Sequence, residues 1–154
     1  MRIRHAGKED VPRVIELWIA MMDLHRTIHP VFARREDGHV AFAEFVRENI
    51  TSEDAAVIVA EDDGRVVGYT MARIQKAPPV LVRERYCEVF DISVDSECKR
   101  RGAGGALVEA LRAWVVDRGV DRIVLNAAVG NEESVPFWRR MGFEEFLLVM
   151  AQDL

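Results

Sequence analysis

The sequence predicts an α/β (α+β) fold of a single domain, residues 1–154, in which a mixed sheet carries helices packed against it. Three observations point there. Apolar residues recur at helical spacing in some segments and gather into short β-rich runs in others. An Asp-Gly pair joins two of those runs as a tight hairpin turn does. A glycine-rich stretch stands between a strand-like run and a helix-like one. A chain of 154 residues is long enough to bury a core, and no linker, repeat or low-complexity tract divides it.

Taken in order, Arg2–Ala6 reads as a strand. Glu9 and Asp10 follow in a first helical turn, where carboxylates suit the helix dipole, and Val11, Val14, Ile15, Trp18 and Met22 then recur at helical spacing. The periodicity lapses from His25 to Arg35, and a second amphipathic helix carries Phe42, Phe45, Val46 and Ile50. Ala56–Glu61 and Val66–Ile74 form the hairpin around Asp62-Asp63-Gly64-Arg65, and Tyr86–Val94 is a further strand. Beyond the glycines a helix presents Leu107, Leu111, Trp114 and Val115 on one face, with Gly119 at its C-cap. Arg122–Ala128 is a strand, a short helix runs to Met141 and stops at Gly142, and Phe143–Met150 forms a last strand. The expected order is β-α-α-β-β-β-α-β-α-β.

Composition narrows the function classes. A net charge of -5 argues against broad binding to nucleic acid or anionic lipid, which need a positive field, and mildly favours a cationic substrate. No apolar run approaches the roughly 20 residues of a membrane span, and the opening Met1-Arg2-Ile3-Arg4-His5-Ala6 has no leader pattern, so a cytoplasmic protein is expected. Cys87 and Cys98 are too few and too unpatterned for a disulfide framework, and with four histidines at no ligand spacing no metal is expected.

The chemistry gathers at Lys99-Arg100-Arg101-Gly102-Ala103-Gly104-Gly105-Ala106, between a strand and a helix, where free backbone N–H groups at a helix N-terminus hold phosphate. Two familiar phosphate loops fail on residues. A Walker loop needs Lys-Ser or Lys-Thr where this chain has Ala106-Leu107, and a dinucleotide fingerprint begun at Gly102 needs glycine where Leu107 stands.

The run Val94-Asp95-Ser96-Glu97-Cys98-Lys99-Arg100-Arg101-Gly102-Ala103-Gly104-Gly105-Ala106-Leu107, with Asn131 and Phe137-Trp138-Arg139-Arg140-Met141-Gly142-Phe143, resembles the GCN5-related N-acetyltransferase (GNAT) superfamily. That resemblance implies a mostly antiparallel sheet with helices on both faces and a V-shaped splay between Val89–Val94 and Arg122–Ala128. It implies acetyl-CoA as cosubstrate without a metal, held by Ile92, Ser93, Val94, Lys99, Arg100, Arg101, Gly102, Ala103, Gly104, Gly105, Ala106, Asn131, Ser134, Trp138 and Arg140. Transfer of the acetyl group to a primary amine of a small molecule or peptide, by direct attack, follows; a homodimer is compatible with it. A CoA-binding sensor of weak activity is the alternative.

Three positions depart from the family's pattern. Lys99 replaces a Gln or Arg, which keeps a cation and loses the planar fork. Ser96 stands where many members have Pro. Trp138 occupies the place of a Tyr that protonates the departing thiolate in many members, and indole is no acid. The amine must lose a proton to attack, and Glu88 and Asp91 are the carboxylates on the Tyr86–Val94 strand. Period-two alternation puts them on opposite faces, with Asp91 favoured as base by its distance from Val94. The Ile92 N–H is the candidate oxyanion donor. Tyr69 and Tyr86 are the available phenols, with packing the simpler role for each. Pro136 fits only a first helical turn, which favours Ser134 as N-cap and leaves Asn131 for cofactor. His25 and His29 lie in the irregular stretch, which the resemblance places over the acceptor.

Overall fold

The computed structural model describes all 154 residues. Its frame is one five-stranded sheet in the order β1-β2-β3-β4-β5, made of β1 (Arg2–His5), β2 (Ala55–Asp62), β3 (Arg65–Lys76), β4 (Arg85–Val94) and β5 (Ile123–Leu125). The first four strands pair antiparallel and β5 lies parallel to β4. The β2–β3 hairpin turns at Asp63 (φ 48°) and Gly64 (φ 77°), a pair of left-handed residues that matches the right-handed strand twist. Apolar residues alternate across it: Val57, Val59, Tyr69 and Met71 face one way, Ala56, Ile58, Ala72 and Ile74 the other.

Each face receives two helices. Against Val57, Val59, Tyr69 and Met71 lie α1 (Val11–Ile28), through Val11, Val14 and Leu17, and α2 (Gly38–Thr51), through Phe42, Ala43 and Val46. The opposite face takes α3 (Ala103–Asp117), through Leu107, Val108, Leu111 and Val115, and α4 (Ser134–Arg140), through Trp138. Gly119 (φ 67°) and Gly142 (φ 80°) end these two helices in the conformation the sequence anticipates.

Three expectations are corrected. Helix α1 continues past Met22 to Ile28, so His25 is helical, its Nδ1 2.9 Å from the Met21 carbonyl. The expected strand Arg122–Ala128 shrinks to Ile123–Leu125, the stretch where a neighbour supplies hydrogen bonds. Phe143–Met150 forms no strand, because it pairs with no other segment and its residues from Glu144 onward are exposed.

Helix α1 is anchored to β1 by charge. The Asp10 carboxylate accepts from Arg4 at 2.6 and 3.0 Å and from the Gly7 N–H at 2.7 Å, while Arg4 also donates to Glu61 of β2 at 2.7 Å. Asp10→Ala leaves Arg4 half-satisfied and unfastens the turn, a loss of about 2–3 kcal/mol in urea unfolding at pH 7. The Arg4 hydrogen bond holds the Asp10 carboxyl below its ordinary value. Its contribution is therefore present above the unfolded carboxylate range and fades as pH falls through the depressed native value. The two proteins should differ at pH 7 and converge in strong acid; equal stability at pH 7 would contradict the assignment.

Candidate functional site

The site begins where pairing ends. Strands β4 and β5 share three register positions, Cys87 with Ile123, Glu88 with Val124 and Val89 with Leu125. Strand β5 then stops while β4 continues to Val94, so Phe90–Val94 have no strand beside them on that side. Ile92 and Val94 pack toward α3, and the Ser93 hydroxyl donates to the Leu17 carbonyl of α1 at 3.2 Å on the other face. An open wedge with unpaired backbone along one wall suits an extended amide-containing chain, which adds to a strand through main-chain hydrogen bonds.

The glycine-rich loop closes the end of this wedge. Asp95 opens it as an N-cap: its Oδ1 accepts the Glu97 N–H at 3.1 Å, and its Oδ2 takes Arg13 of α1 and, at 3.1 Å, Arg65 of β3. Arg100 (φ 64°) and Gly102 (φ 87°) then turn the chain into α3. The first amide with a helical acceptor is Ala106, which donates to the Gly102 carbonyl at 3.0 Å; the N–H groups of Ala103, Gly104 and Gly105 have no acceptor in the fold, and no side chain caps them. Three free donors thus stand at the positive end of a 15-residue helix, where amides and dipole together favour negative charge. Of the loop cations, Lys99 is bound to Glu133 at 2.5 Å and Arg101 stands 3.9 Å from Asp62, while Arg100 has no ion pair.

A bulge rearranges the two acids on β4. Met71 faces Asp91 and Ala72 faces Val89, which leaves Phe90 as the extra residue. Beyond the bulge the side chains change phase, so Glu88, opposite Arg73, and Asp91, opposite Met71, stand on the same face, the one covered by α1 and α2. The expectation of opposite faces is wrong for this reason. Phe90 packs beside Phe45 of α2, with ring centroids 5.6 Å apart. Glu88 accepts from Gln75 at 3.1 Å. Asp91 makes no side-chain hydrogen bond, and burial pushes its carboxyl up to about 6. That places its ionisation where a general base works near neutral pH.

The remaining expectations sort by their contacts. Asn131, not Ser134, caps α4: its Oδ1 accepts the N–H groups of Glu133 (3.2 Å) and Ser134 (3.0 Å), and Ser134 is the first helical residue. Trp138 is 6% exposed, wedged edge-on between Phe137 and Phe143 in the α3-side core, which gives its indole a packing role. Arg140 makes no ion pair, whereas Arg139 binds Glu145. The Tyr69 phenol is fully buried without a hydrogen-bond partner and burial pushes it well above its ordinary range, which removes it as an acid. Burial likewise pushes the Cys87 thiol up to about 12. His29 accepts the Val31 N–H at 3.2 Å, and both His25 and His29 meet the edge of Phe32.

Comparison with known proteins decides the family. A family model described as acetyltransferase (GNAT) family matches residues 18–143, most of the chain and all of the wedge and loop. The chain belongs to the GNAT family. An N-alpha-acetyltransferase of Sulfurisphaera tokodaii is 33% identical over 108 residues, 66% of this chain and 64% of that protein. N-acetyltransferase family 8 member 3 of Mus musculus is 26% identical over 70% of this chain and 46% of its own length. The chain thus spans between about half and two thirds of these relatives. Among solved structures, the BH1408 tetramutant protein of Bacillus halodurans superposes with a TM-score of 0.89 at 20% identity over 100% of both chains. An aminoglycoside 6'-N-acetyltransferase of Acinetobacter haemolyticus does so at 0.76 and 16%, over 100% of this chain and 99% of that one. Both show the fold.

Sequence reasoning missed four contributors to this GNAT site. Phe90 is visible in retrospect, because Glu88 and Asp91 are polar three apart with Val89, Phe90 and Ile92 apolar, a break in the period of two. Glu133, which holds Lys99, and Arg13, which holds Asp95, are long-range partners without a local signal. The fourth is Phe137, whose ring lies 3.2 Å from where a β-carbon on Gly104 would stand. A side chain at 104 would press first on the Phe137 ring, which would have to give by a few tenths of an ångström. A β-carbon at Gly102, by contrast, meets open space but would sit at φ 87°. Gly104→Val should therefore lower the melting temperature of the ligand-free protein more than Gly102→Ala, whose backbone strain costs about 1–2 kcal/mol. Thermal unfolding of both variants checks this; a Gly104→Val protein as stable as wild type would refute the contact.

Proposed function

We propose that this chain is an acetyl-CoA-dependent N-acyltransferase acting on a primary amine by direct attack in a ternary complex. The observation that carries the proposal is the wedge beyond Val89 and Leu125 with the free N–H groups of Ala103, Gly104 and Gly105 at its end. An unpaired strand edge beside a helix N-terminus fits a ligand with an amide-bearing arm joined to a pyrophosphate. Acetyl-CoA has that form, and a solved neighbour described as AAC(6')-Iy in complex with a bisubstrate CoA analogue shares the fold at a TM-score of 0.72 and 22% identity, over 99% of this chain and 97% of that one.

In this reading Ala103, Gly104 and Gly105 hold the pyrophosphate with Arg100, the loop cation free of an ion pair. Lys99 and Arg101 add field, and Gly102 and Ala106 shape the turn. The edge of β4 from Ile92 to Val94 receives the amide-bearing arm, and the Ile92 N–H donates to the carbonyl oxygen as it gains charge, an interaction of roughly 3 kcal/mol when preorganised. Asp91 takes the proton of the attacking amine. Glu88, on the same face, holds the acceptor's ammonium group before the proton leaves, which favours a cationic acceptor. The N-alpha-acetyltransferase relative and the aminoglycoside 6'-N-acetyltransferase that shares the fold are named for amine acceptors, which suits that class. A thiol of ordinary pKa about 8.5 departs as thiolate without a donor, so the packed Trp138 in place of a phenol is compatible with turnover.

Two measurements test this. Thiol release from acetyl-CoA with a panel of amines should show turnover that rises with pH through about 6 as Asp91 ionises. In Asp91→Asn it should fall by about a hundredfold or more and lose that limb. A CoA-binding protein that turns over none of the panel would instead favour a sensor. Stability moves the opposite way. Between the ordinary 3.8 and about 6 the native state keeps a proton that the unfolded chain has lost, so Asp91 lowers stability as pH rises through that window. Asp91→Asn should therefore be more stable than wild type at pH 8, by up to about 2–3 kcal/mol at 1.4 kcal/mol per pKa unit, and near-equal at pH 4. Lower stability of the variant at pH 8 would contradict the burial of a charged carboxylate.

A further inference from the structure

We infer, resting on the reading of Asp91 as the base, that the Tyr69 hydroxyl donates a hydrogen bond to the Asp91 carboxylate once that carboxyl has lost its proton. Tyr69 is thereby a positioning residue for proton transfer. Its side chain is 0% exposed and its hydroxyl has no hydrogen-bond partner, a cost that a folded core rarely carries. In register Tyr69 faces Ser93 and Met71 faces Asp91, and the bulge lies beyond both pairs. Tyr69 and Asp91 therefore point to one face as diagonal neighbours on adjacent strands, a separation of roughly 7–8 Å that an aromatic side chain spans.

The other donors nearby are already engaged. The Thr70 hydroxyl donates to the Asp91 carbonyl at 2.9 Å, the Ser93 hydroxyl to the Leu17 carbonyl at 3.2 Å and the Gln75 amide to Glu88 at 3.1 Å. Among the hydroxyl and amide side chains of residues 69–75 and 88–94, the Tyr69 phenol is the one left without an acceptor. Charged groups on the elements packed around this face do not serve in its place. Arg13 of α1 takes Glu16 and Asp95, Asp23 takes Arg34, His25 sits on the Met21 carbonyl, and Arg26 of α1 with Glu44, Arg47 and Glu48 of α2 are exposed. Arg73 stands opposite Glu88, yet burial alone raises the Asp91 carboxyl, with no charge acting on it. The Asp91 charge does act on the Tyr69 phenol, adding to the burial that pushes it up, so the phenol keeps its proton and remains a donor at any working pH.

A neutral donor suits a base better than a cation does. Arg4 holds the Asp10 carboxyl below its ordinary value, whereas a phenol orients the anion and lowers its proton affinity only modestly. Asp91 with Tyr69 thus still exchanges its proton near neutral pH. With one carboxylate oxygen held by the phenol, the other is left to take the proton of the amine.

Carboxyl-carbon NMR of the aspartate-labelled, ligand-free protein against pH tests this, with Asp91→Asn assigning the signal. Tyr69→Phe keeps the ring and removes the donor, so it should move the Asp91 pKa up by about one to two pH units, the strength of a hydrogen bond to a charged group. The acid limb of thiol release should move up with it, while Arg73→Gln leaves both in place. An Asp91 titration unchanged in Tyr69→Phe, or moved by Arg73→Gln instead, would overturn the inference. Because the titration is read without substrate, a chain that turned over no amine would count against Asp91 as base, and the same shift would still decide the hydrogen bond.

Discussion

Pairing between β4 and β5 lasts three residues, and the rest of the functional architecture depends on its ending. Had β5 continued beside β4, the backbone of Phe90–Val94 would be consumed in a ladder and α3 would pack against a closed sheet. Instead β4 runs on alone to Val94, the chain turns at Asp95, and the first turn of α3 arrives at the mouth of the opening with three amides free. Asp95 fixes that arrival because it ties the turn to α1 through Arg13 and to β3 through Arg65, so the two sides of the sheet are joined at the loop. The first turn of α3 packs beside Val94 and Phe137, so the free donors belong to a packed helix end.

The bulge at Phe90 is the second constraint, and it acts on chemistry through geometry. One extra residue on β4 brings Glu88 and Asp91 to a common face, and Phe90 seated beside Phe45 keeps the bulge in register. Burial of Asp91 without a hydrogen-bond donor is unfavourable for folding once the group ionises. The same absence of a donor is what raises its proton affinity toward neutrality. A stabilising partner, such as the arginine that Asp10 has in Arg4, would make Asp91 a better structural residue and a poorer base. The contrast between these two aspartates separates a residue that holds the fold from one available for proton transfer.

Much of this was legible in the residues. The Asp63-Gly64 turn, the glycines that stop α3 and α4, the apolar stripes of α1, α2 and α3 and the glycine-rich turn from strand to helix each rest on local rules, and each is present. What escaped depends on contacts between distant segments. A bulge shifts the phase of a strand by one, so counting by two from Val94 put Glu88 on the wrong face. Ser134 looked like the N-cap because Pro136 follows it, yet Asn131 reaches both amides from a turn earlier. His25 fell where the apolar stripe fades, although the helix persists through backbone bonds that need no apolar face. Phe143–Met150 has strand composition, but a strand exists only with a neighbour, which composition does not supply.

The most direct test of the wedge is an amide NMR titration of the isotopically labelled chain with CoA. The account predicts that the largest shift changes fall on Phe90–Val94, unpaired on the β5 side, and on Ala103, Gly104 and Gly105, three residues whose N–H groups lack acceptors, with the β1–β2 pair nearly unmoved. Saturable shifts centred elsewhere, or none at about 1 mM CoA, a concentration at which even a binder of about −4 kcal/mol is half-occupied, would contradict it.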